Sequence, residues 1–136
     1  MLELLQVMEA PGFQIATWPV HEPELRDGLV VHQMPYPEYD PVVDRFWELC
    51  YKSSCYIDPY AVLPEDPPGL EHEMDVVDVL RAPRDMEKAT LNQIRRYFVL
   101  CTRGERFCDG YIQGQFEDGC LRAALLRLAA LRAGMQ

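Results

Sequence analysis

The sequence Leu121-Arg-Ala-Ala-Leu-Leu-Arg-Leu-Ala-Ala-Leu-Arg-Ala133 decides the character of the C-terminal half. Its leucines and alanines recur every three or four residues, which is the spacing that brings side chains onto one face of an α-helix. This wide apolar stripe consists of Leu121, Ala124, Leu125, Leu128 and Leu131. Gly134 follows directly and is typical of a helix end. The pattern therefore predicts a buried helix from residue 121 to about residue 133.

The region before this helix also favours helices, because the last 53 residues, 84–136, contain no proline. Thr90-Leu-Asn-Gln93 has the form of a capping box, with Thr as N-cap and Gln three residues later. It opens a predicted helix that we expect to end at Gly104. Its inward side chains are predicted to be Leu91, Ile94, Phe98 and Cys101. Phe107, Tyr111, Ile112 and Phe116 indicate another helix, although Gly110 and Gly114 disfavour it, and Asp118-Gly119 separates it from the last one.

The N-terminal part holds all eleven prolines, at or before Pro83, and is predicted to consist of strands, turns and one main helix. Residues 13–18 roughly alternate as a half-buried strand does, and residues 28–34 form a second candidate strand. The connection between them is rich in turn residues. An antiparallel hairpin of these two strands is therefore the simplest arrangement.

The main helix of the N-terminal part is predicted to begin at Asp40-Pro41, an N-cap followed by proline at the first helical position, and to reach about residue 53. Its inward side chains are predicted to be Val43, Phe46, Trp47 and Cys50. Residues 56–70 contain too many prolines for a helix or a central strand, so we expect an extended surface loop. A short helix over residues 73–81 is expected to bury Met74, Val77 and Leu80.

These elements predict an α+β fold, with a small antiparallel hairpin or sheet near the N-terminus packed on a mainly helical C-terminal half. At 136 residues and 49% hydrophobic content, the chain has the size and apolar material of one ordinary domain. We therefore expect residues 1–136 to form a single domain. Residues 1–83 are its mixed, acidic and proline-rich part, and residues 84–136 are its helical, proline-free part.

The net charge of −9 is unevenly distributed, with −12 over residues 1–75 and +3 over residues 76–136. This excess of acid disfavours general attraction to nucleic acid or to an anionic membrane. No segment approaches the roughly 20 apolar residues of a membrane-spanning helix. We therefore expect no membrane association and disfavour a nucleic-acid partner.

The start of the chain carries acid where a signal or transit peptide carries base. The five cysteines are odd in number and include no C-x-x-C pair, which fits reduced thiols better than a disulfide framework. We therefore predict a cytoplasmic protein without a structural zinc site, and no cofactor is indicated. The cysteines are Cys50, Cys55, Cys101, Cys108 and Cys120.

The stretch Arg103-Gly-Glu-Arg-Phe-Cys-Asp-Gly-Tyr111, with Phe116-Glu-Asp-Gly119 and the leucine-rich helix after it, resembles the C-terminal part of an uncharacterised bacterial family catalogued as a domain of unknown function. The blocks Met8-Glu-Ala-Pro-Gly-Phe13 and Gln33-Met-Pro-Tyr36 are similar to that family too, so the resemblance covers about residues 8–131. It implies a small α+β fold, a bacterial origin and an intracellular setting. It implies no activity, ligand or active-site residue.

A basic series in the second part is the first candidate site, and it comprises Lys88, Arg95, Arg96, Arg103 and Arg106. Arg96 and Arg103 lie seven residues apart and would share a helix face, where guanidinium groups can hold a phosphate or a carboxylate. The commoner alternative is that these arginines pair with the domain's own acids or remain solvated. Arg103 and Arg106 also flank a Gly-Glu dipeptide, so they could instead join two helix ends.

The proline-rich loop and the residues after it carry acids without bases, namely Asp58, Glu65, Asp66, Glu71, Glu73 and Asp75, with His72 among them. Carboxylates beside an imidazole are ligands for divalent metals. However, the spacing matches no metal motif, and adjacent residues of an extended segment point apart. We therefore prefer a solvated loop or a partner-contact segment, and predict no metal site.

Aromatic residues are concentrated between positions 36 and 60, where they comprise Tyr36, Tyr39, Phe46, Trp47, Tyr51, Tyr56 and Tyr60. Phe46 and Trp47 belong to the predicted helix core. The tyrosines suit a pocket wall or an interface, with core packing alone as the alternative. The predicted ligand- or partner-binding residues are Tyr36, Tyr39, Tyr56, Tyr60, Arg103 and Arg106.

Cysteine catalysis would require a thiolate paired with a base, and the imidazoles of the chain are His21, His32 and His72. His32 could approach Cys50 or Cys101 in space. Because the cysteines lie near predicted buried faces, Cys108 included, we interpret them as inert core thiols.

The function that we favour from the sequence is a non-enzymatic interaction or regulatory domain. It would act on a protein partner through its acidic, tyrosine-rich part, or self-associate through an uncovered apolar helix face. The alternative is a small-molecule binding protein for an anionic ligand, or a small hydrolase, with a site between sheet and helices. Nucleic-acid binding through Arg95, Arg96 and Arg103 is the least favoured. A concave pocket would indicate a binder or an enzyme, whereas an exposed apolar patch would indicate an interaction module.

Overall fold

The computed structural model describes residues 3–19, 22–31, 35–52 and 57–134, and the predictions for His21, His32, Cys55 and Tyr56 and for the side chain of Tyr51 lie outside them. The α+β class is confirmed. The described helices are α1 Glu3–Met8, α2 Pro41–Lys52, α3 Glu73–Val77, α4 Leu91–Phe107, α5 Tyr111–Glu117 and α6 Cys120–Gly134, with short 3₁₀ helices at Asp78–Leu80 and Pro83–Lys88. The strands are β1 Ala16–Thr17, β2 Glu24–Arg26, β3 Leu29–Val31 and β4 Glu38–Tyr39.

The strands form two small antiparallel sheets. In the sequence, the two strands of the second sheet lie between the two strands of the first. β1 pairs with β4, with Ala16 opposite Tyr39, and β2 pairs with β3. The predicted pairing of residues 13–18 with 28–34 is therefore wrong. The reason is the Asp27-Gly28 turn, whose two residues have φ of 49° and 78°. Two consecutive positive φ angles are typical of a type I′ hairpin turn, which pairs the residues immediately on either side of it.

Helix α2 begins as predicted, because the Val42 N–H donates a 2.9 Å hydrogen bond to the Asp40 side chain. Phe46 and Trp47 are buried, also as predicted. The Phe46 ring meets the Phe98 ring of α4 edge-on, with 5.1 Å between the ring centroids. This aromatic contact joins the N-terminal part of the chain to the helical C-terminal half.

Helix α4 has the predicted capping box. The Gln93 N–H donates to Thr90 Oγ1 at 3.2 Å, and the Thr90 N–H donates to Gln93 Oε1 at 3.0 Å. The predicted end at Gly104 is wrong, because the helix continues to Phe107. A glycine costs a helix interior only about 1 kcal/mol. It is needed here because a Cβ on Gly104 would lie 2.7 Å from the Tyr111 ring.

The segment after the proline-rich loop is helical as predicted, but its faces differ from the prediction. Val76 and Leu80 are buried, whereas Met74 is 65% exposed. The buried residues Val76 and Leu80 are four positions apart, a spacing that brings side chains onto one helix face, whereas the prediction assumed spacings of three. This helical segment ends at Leu80, and Pro83 begins the next 3₁₀ helix.

The hydrophobic core draws on both parts of the chain. Leu4 of α1, Val43 of α2 and Leu121 and Leu125 of α6 are almost fully buried. Helix α1 is not predicted from the sequence, because its six residues are too few for a helical period to stand out. Phe107, predicted to belong to the helix before Asp118-Gly119, is instead the last residue of α4, lies outside the core and is 81% exposed.

Candidate functional site

The β2–β3 hairpin presents apolar side chains to solvent. Every residue of both strands is exposed. The exposed fractions are 75% for Leu25, 70% for Leu29 and 62% for Val30, and Val31 is exposed as well. Neighbouring exposed apolar side chains mark interaction sites, whereas scattered ones do not. The hairpin is therefore the candidate interaction surface.

The two outer edges of the hairpin differ in chemistry. β2 is preceded by Pro23, which has no N–H for a neighbouring strand, and it carries an ion pair of 2.8 Å between Glu24 and Arg26. β3 contains neither charge nor proline, and among the strands of the described residues only β2 pairs with it. Because charges and prolines protect sheet edges against added strands, β3 is the open edge.

The residues that the sequence groups into one predicted site lie on different elements of the structure. Tyr36 is exposed, and Tyr39 is half-buried in β4. Tyr60 is half-buried in the proline-rich loop, where the Arg103 guanidinium lies 5.2 Å from the centre of its ring. Arg103 and Arg106 are both exposed on the last turns of α4. The structure thus brings Tyr60 and Arg103 of the predicted grouping into contact.

Tyr39 faces the start of helix α5. Its hydroxyl donates a short hydrogen bond to the Glu105 carboxylate and accepts one of 3.3 Å from the Gln113 N–H. Burial raises the pKa of Tyr39, and the hydrogen bond to Glu105 raises it further. The Glu105 carboxylate also accepts the N–H groups of Gly110 and Ile112, each at 2.9 Å. This network satisfies backbone donors that the first turn of a helix leaves free, so the Tyr39 hydroxyl serves the fold.

The residues that build this junction, Glu105, Gly104 and Gly110, are missed by the sequence analysis. Gly110 has a φ of 88°, and a Cβ there would lie 2.9 Å from the Trp18 ring. Trp18 Nε1 also donates a 2.6 Å hydrogen bond to Gln113 Oε1. The motif that carries the family resemblance thus forms the junction between α4 and α5. Gly104 and Gly110 lie where aromatic rings approach the backbone, and the Glu105 carboxylate accepts N–H groups at the start of α5. Its signal in the sequence is an acid a few residues before a Gly-Tyr pair.

A cleft of about 170 Å³ opens between α4, α5 and the 3₁₀ turn that follows α3. Tyr97, Tyr111 and Leu100 contribute its apolar wall. Its polar groups come from Asp78, Arg81 and Gln115. Gln115 Oε1 accepts a 2.8 Å hydrogen bond from the Tyr97 hydroxyl. The cleft is smaller than typical small-molecule sites of about 300–1,000 Å³. It can hold only a small ligand.

The proline-rich loop, predicted to be solvated, contains a buried ion pair. The Asp66 side chain is fully buried, and its oxygens accept bonds of 2.5 and 2.8 Å from the Arg96 guanidinium. Gln93 Nε2 and the Leu63 N–H donate to the same carboxylate at 3.0 and 2.7 Å. Burial alone would raise the pKa of Asp66, but these hydrogen bonds and the Arg96 charge lower it to about 2. Arg96 therefore pairs with one of the domain's own acids and fastens the loop to α4.

One of the acids around His72, Asp75, caps the start of helix α3. The N–H groups of Glu71 and His72 donate to the Asp75 side chain at 3.0 and 2.9 Å, and these hydrogen bonds lower the pKa of Asp75. Across the described residues, no group of three histidine, cysteine, aspartate or glutamate side chains is arranged to hold a metal ion.

The described cysteines are free thiols. Burial raises the pKa of half-buried Cys50 to about 11 and that of Cys101 to about 12. Such thiols are poor nucleophiles near neutral pH, which agrees with their interpretation as core residues. Cys120 is also buried. Cys108 differs from the prediction because it is exposed at the end of α4.

Helix α6 has one uncovered apolar strip, as the self-association hypothesis requires. Leu126 is 42% exposed, and with Ala123 and Ala130 it lines an open groove of about 450 Å³ against residues 83–87. Arg127 and Arg84 line the same groove. Leu126 is the one large apolar side chain that this strip exposes, whereas the hairpin exposes several neighbouring ones. The hairpin is therefore the stronger candidate surface.

Within the described ranges, the chain contains no helix that combines the length and the apolar character needed to cross a lipid bilayer. No curated protein and no solved structure matches the sequence. A family model does match it, over residues 1–134, and its description is a family of unknown function. The match covers nearly the whole chain and agrees with the resemblance noted from the C-terminal motif. The chain therefore belongs to the family of unknown function DUF6508.

Proposed function

We propose that this protein is an interaction module and that the β2–β3 hairpin is its docking element. The observation that carries the proposal is the exposure of both strands along their whole length, with Leu25, Leu29 and Val30 each more than half exposed. Fully burying one such side chain stabilises a complex by about 1.5–3 kcal/mol. A partner that covers the hairpin therefore gains binding free energy from side chains that the domain does not use for its own core.

The mode of docking that we propose is addition of an extended strand to β3. Isolated two-stranded hairpins are only marginally stable in water, and a third strand adds backbone hydrogen bonds as well as apolar contacts. The charge and the proline on the β2 side direct this addition to β3. The hairpin belongs to the acidic part of the chain, and the sequence pattern predicts the contact with a protein partner in that same part.

The experiment is site-specific photo-cross-linking in the cells that make the protein. A benzophenone amino acid at position 29 should give a discrete adduct with a protein, and the same group at Val62, which is 57% exposed in the loop, should not. Adding Val30→Pro to the position-29 chain should abolish the adduct, because proline removes the N–H that an added strand would use. Equal labelling from positions 29 and 62 would contradict the proposal.

A second candidate function is binding of a small anion, and the cleft beside Tyr111 favours it. Arg81 lines this cleft, and Arg103 lies over the Tyr60 ring nearby along α4. Inorganic phosphate should then raise the melting temperature of the wild-type protein, and Arg81→Gln should remove that rise without lowering the melting temperature in plain buffer. Arg132→Gln, on the exposed last turn of α6, is the matched control. An unchanged melting temperature of the wild type in phosphate would reject this candidate.

A further inference from the structure

We propose that the strand added to β3 is β3 of a second copy of the same chain, in antiparallel pairing centred on Val30. This inference rests on the proposed function, because it names the occupant of the same docking element. Three features of the hairpin carry it: the direction of its free backbone groups, the symmetry of its side chains and the placement of its charges.

At Val30, the backbone of β3 directs outward an N–H and a C=O that have no backbone partner among the described residues. Arg26 and Leu29 flank the two-residue turn and form the first pair of the hairpin, which exchanges hydrogen bonds. Pairs alternate along an antiparallel ladder, so Leu25 and Val30 form a non-hydrogen-bonded pair. The N–H and C=O of Val30 therefore point away from β2. Two copies related by a two-fold axis at Val30 would exchange both of these hydrogen bonds.

The side chains of β3 are self-complementary in this register. Val30 would lie opposite Val30 of the second copy, and Leu29 would lie opposite Val31 of the second copy. Leu25 lies opposite Val30 within each hairpin, so the central row of the resulting four-stranded sheet would be entirely apolar. Such directly opposed apolar pairs are the units that stabilise antiparallel sheets.

The charges of the hairpin also fit a second copy. Within each hairpin, Glu24 lies opposite Val31, and Arg26 lies opposite Leu29. Each outer row of side chains across the four strands would therefore begin with Glu24 of one copy and end with Arg26 of the other. The two charges of a row would be about 14 Å apart, three strand spacings. No like charges would face each other across the new contact. The pattern thus accepts a copy of itself without a charge penalty at the interface.

The overall charge provides a way to distinguish a second copy from a basic partner. Each chain carries a net charge of −9, so two copies repel one another at long range. Added salt screens this repulsion and should strengthen self-association. A basic partner strand, in contrast, would be released by salt.

The test is sedimentation velocity on the purified full chain. The wild type should reach twice the 15.7 kDa mass of the chain as its concentration rises, and more readily at higher salt. Val30→Lys and Val30→Glu should each remain monomeric, because the two-fold axis places residue 30 against itself. A 1:1 mixture of the two variants should regain the dimer. Val62→Lys and Val62→Glu are the matched controls and should each dimerise like the wild type.

Several results would overturn the inference: a wild type that stays monomeric, Val30 variants that still dimerise alone, a mixture that does not recover, or a dimer that salt dissociates. Circular dichroism keeps the test valid, because residue 30 is 62% exposed and its variants should retain the wild-type helix content. A monomeric wild type combined with a position-29 adduct to a different protein would overturn this inference and leave the proposed function standing. Absence of both association and adduct would overturn both.

Discussion

The buried pair of Asp66 and Arg96 provides the sharpest test of how the loop is held. We expect Asp66→Asn to preserve the side-chain volume but to leave the Arg96 guanidinium, 2% exposed, without its counter-charge. Removing one partner of a buried ion pair costs about 3–5 kcal/mol. A domain of this size has a total stability of about 5–15 kcal/mol, so the variant should lose a large share of it. With an unfolding entropy of about 2.1 cal/mol/K per residue, this loss should lower the melting temperature by about 10–17 °C.

The assay is urea denaturation, followed by tryptophan fluorescence and by circular dichroism. The matched control is Glu9→Gln, which also removes one carboxylate from an ion pair, here of 2.7 Å with Arg122. Both side chains of that pair are half exposed, and such pairs contribute about 0.2–1 kcal/mol. Equal losses of stability in Asp66→Asn and Glu9→Gln would refute the reasoning.

The same pair predicts a dependence of stability on pH. The pKa of Asp66 is lowered from 3.8 to about 2, so the folded state favours the ionised carboxylate. This contributes about 2 kcal/mol of stability, which is present above the unfolded pKa and is lost as the pH falls from about 4 through 2. The difference in unfolding free energy between wild type and Asp66→Asn should therefore shrink over that interval. A constant difference between pH 5 and pH 2 would contradict the assignment.

Two further predictions follow from the helix junction and the thiols. Gly104→Ala should destabilise the protein by about 1–3 kcal/mol in urea denaturation, because its Cβ would lie 2.7 Å from the Tyr111 ring. Gly114→Ala is the control: its Cβ would meet open space, so this variant should stabilise α5 by about 0.5–1 kcal/mol. Equal effects would show that the close approach of Tyr111 is unimportant. In native protein at pH 7.5, iodoacetamide should alkylate exposed Cys108 and leave buried Cys101 unmodified, as read by peptide mass spectrometry. Comparable modification of both would contradict the burial of Cys101.

Sequence patterns predict the helices whose signals are local. The apolar stripe of α6, the capping box at Thr90 and the Asp40-Pro41 start of α2 each involve residues within a few positions of one another, and each is confirmed. The Asp27-Gly28 turn is equally local, and the sequence contained its signal. The alternation of residues 13–18 and the turn-rich residues after it favour a different pairing, which the structure shows to be wrong.

The candidate site depends on contacts that no local pattern contains. Tyr39 is as suited to an interface as Tyr36 by its residue type, but its partner Glu105 lies 66 positions away and engages its hydroxyl. Asp66 resembles the other acids of its loop, and only the approach of Arg96 makes it a buried ion-pair partner. Conversely, Leu29 and Val30 look like core residues in sequence and are exposed in the structure.

The sequence by itself determined the α+β class, the helical C-terminal half and the family, because periodicity, capping and motif spacing are properties of neighbouring residues. The tertiary structure decided which strands pair, which charges are buried and which apolar side chains face solvent. The physical reason is that burial and ion pairing depend on groups that folding brings together from distant parts of the chain, as Asp66 and Arg96 are across 30 positions. The hairpin's exposure, on which the proposed function rests, is of this second kind.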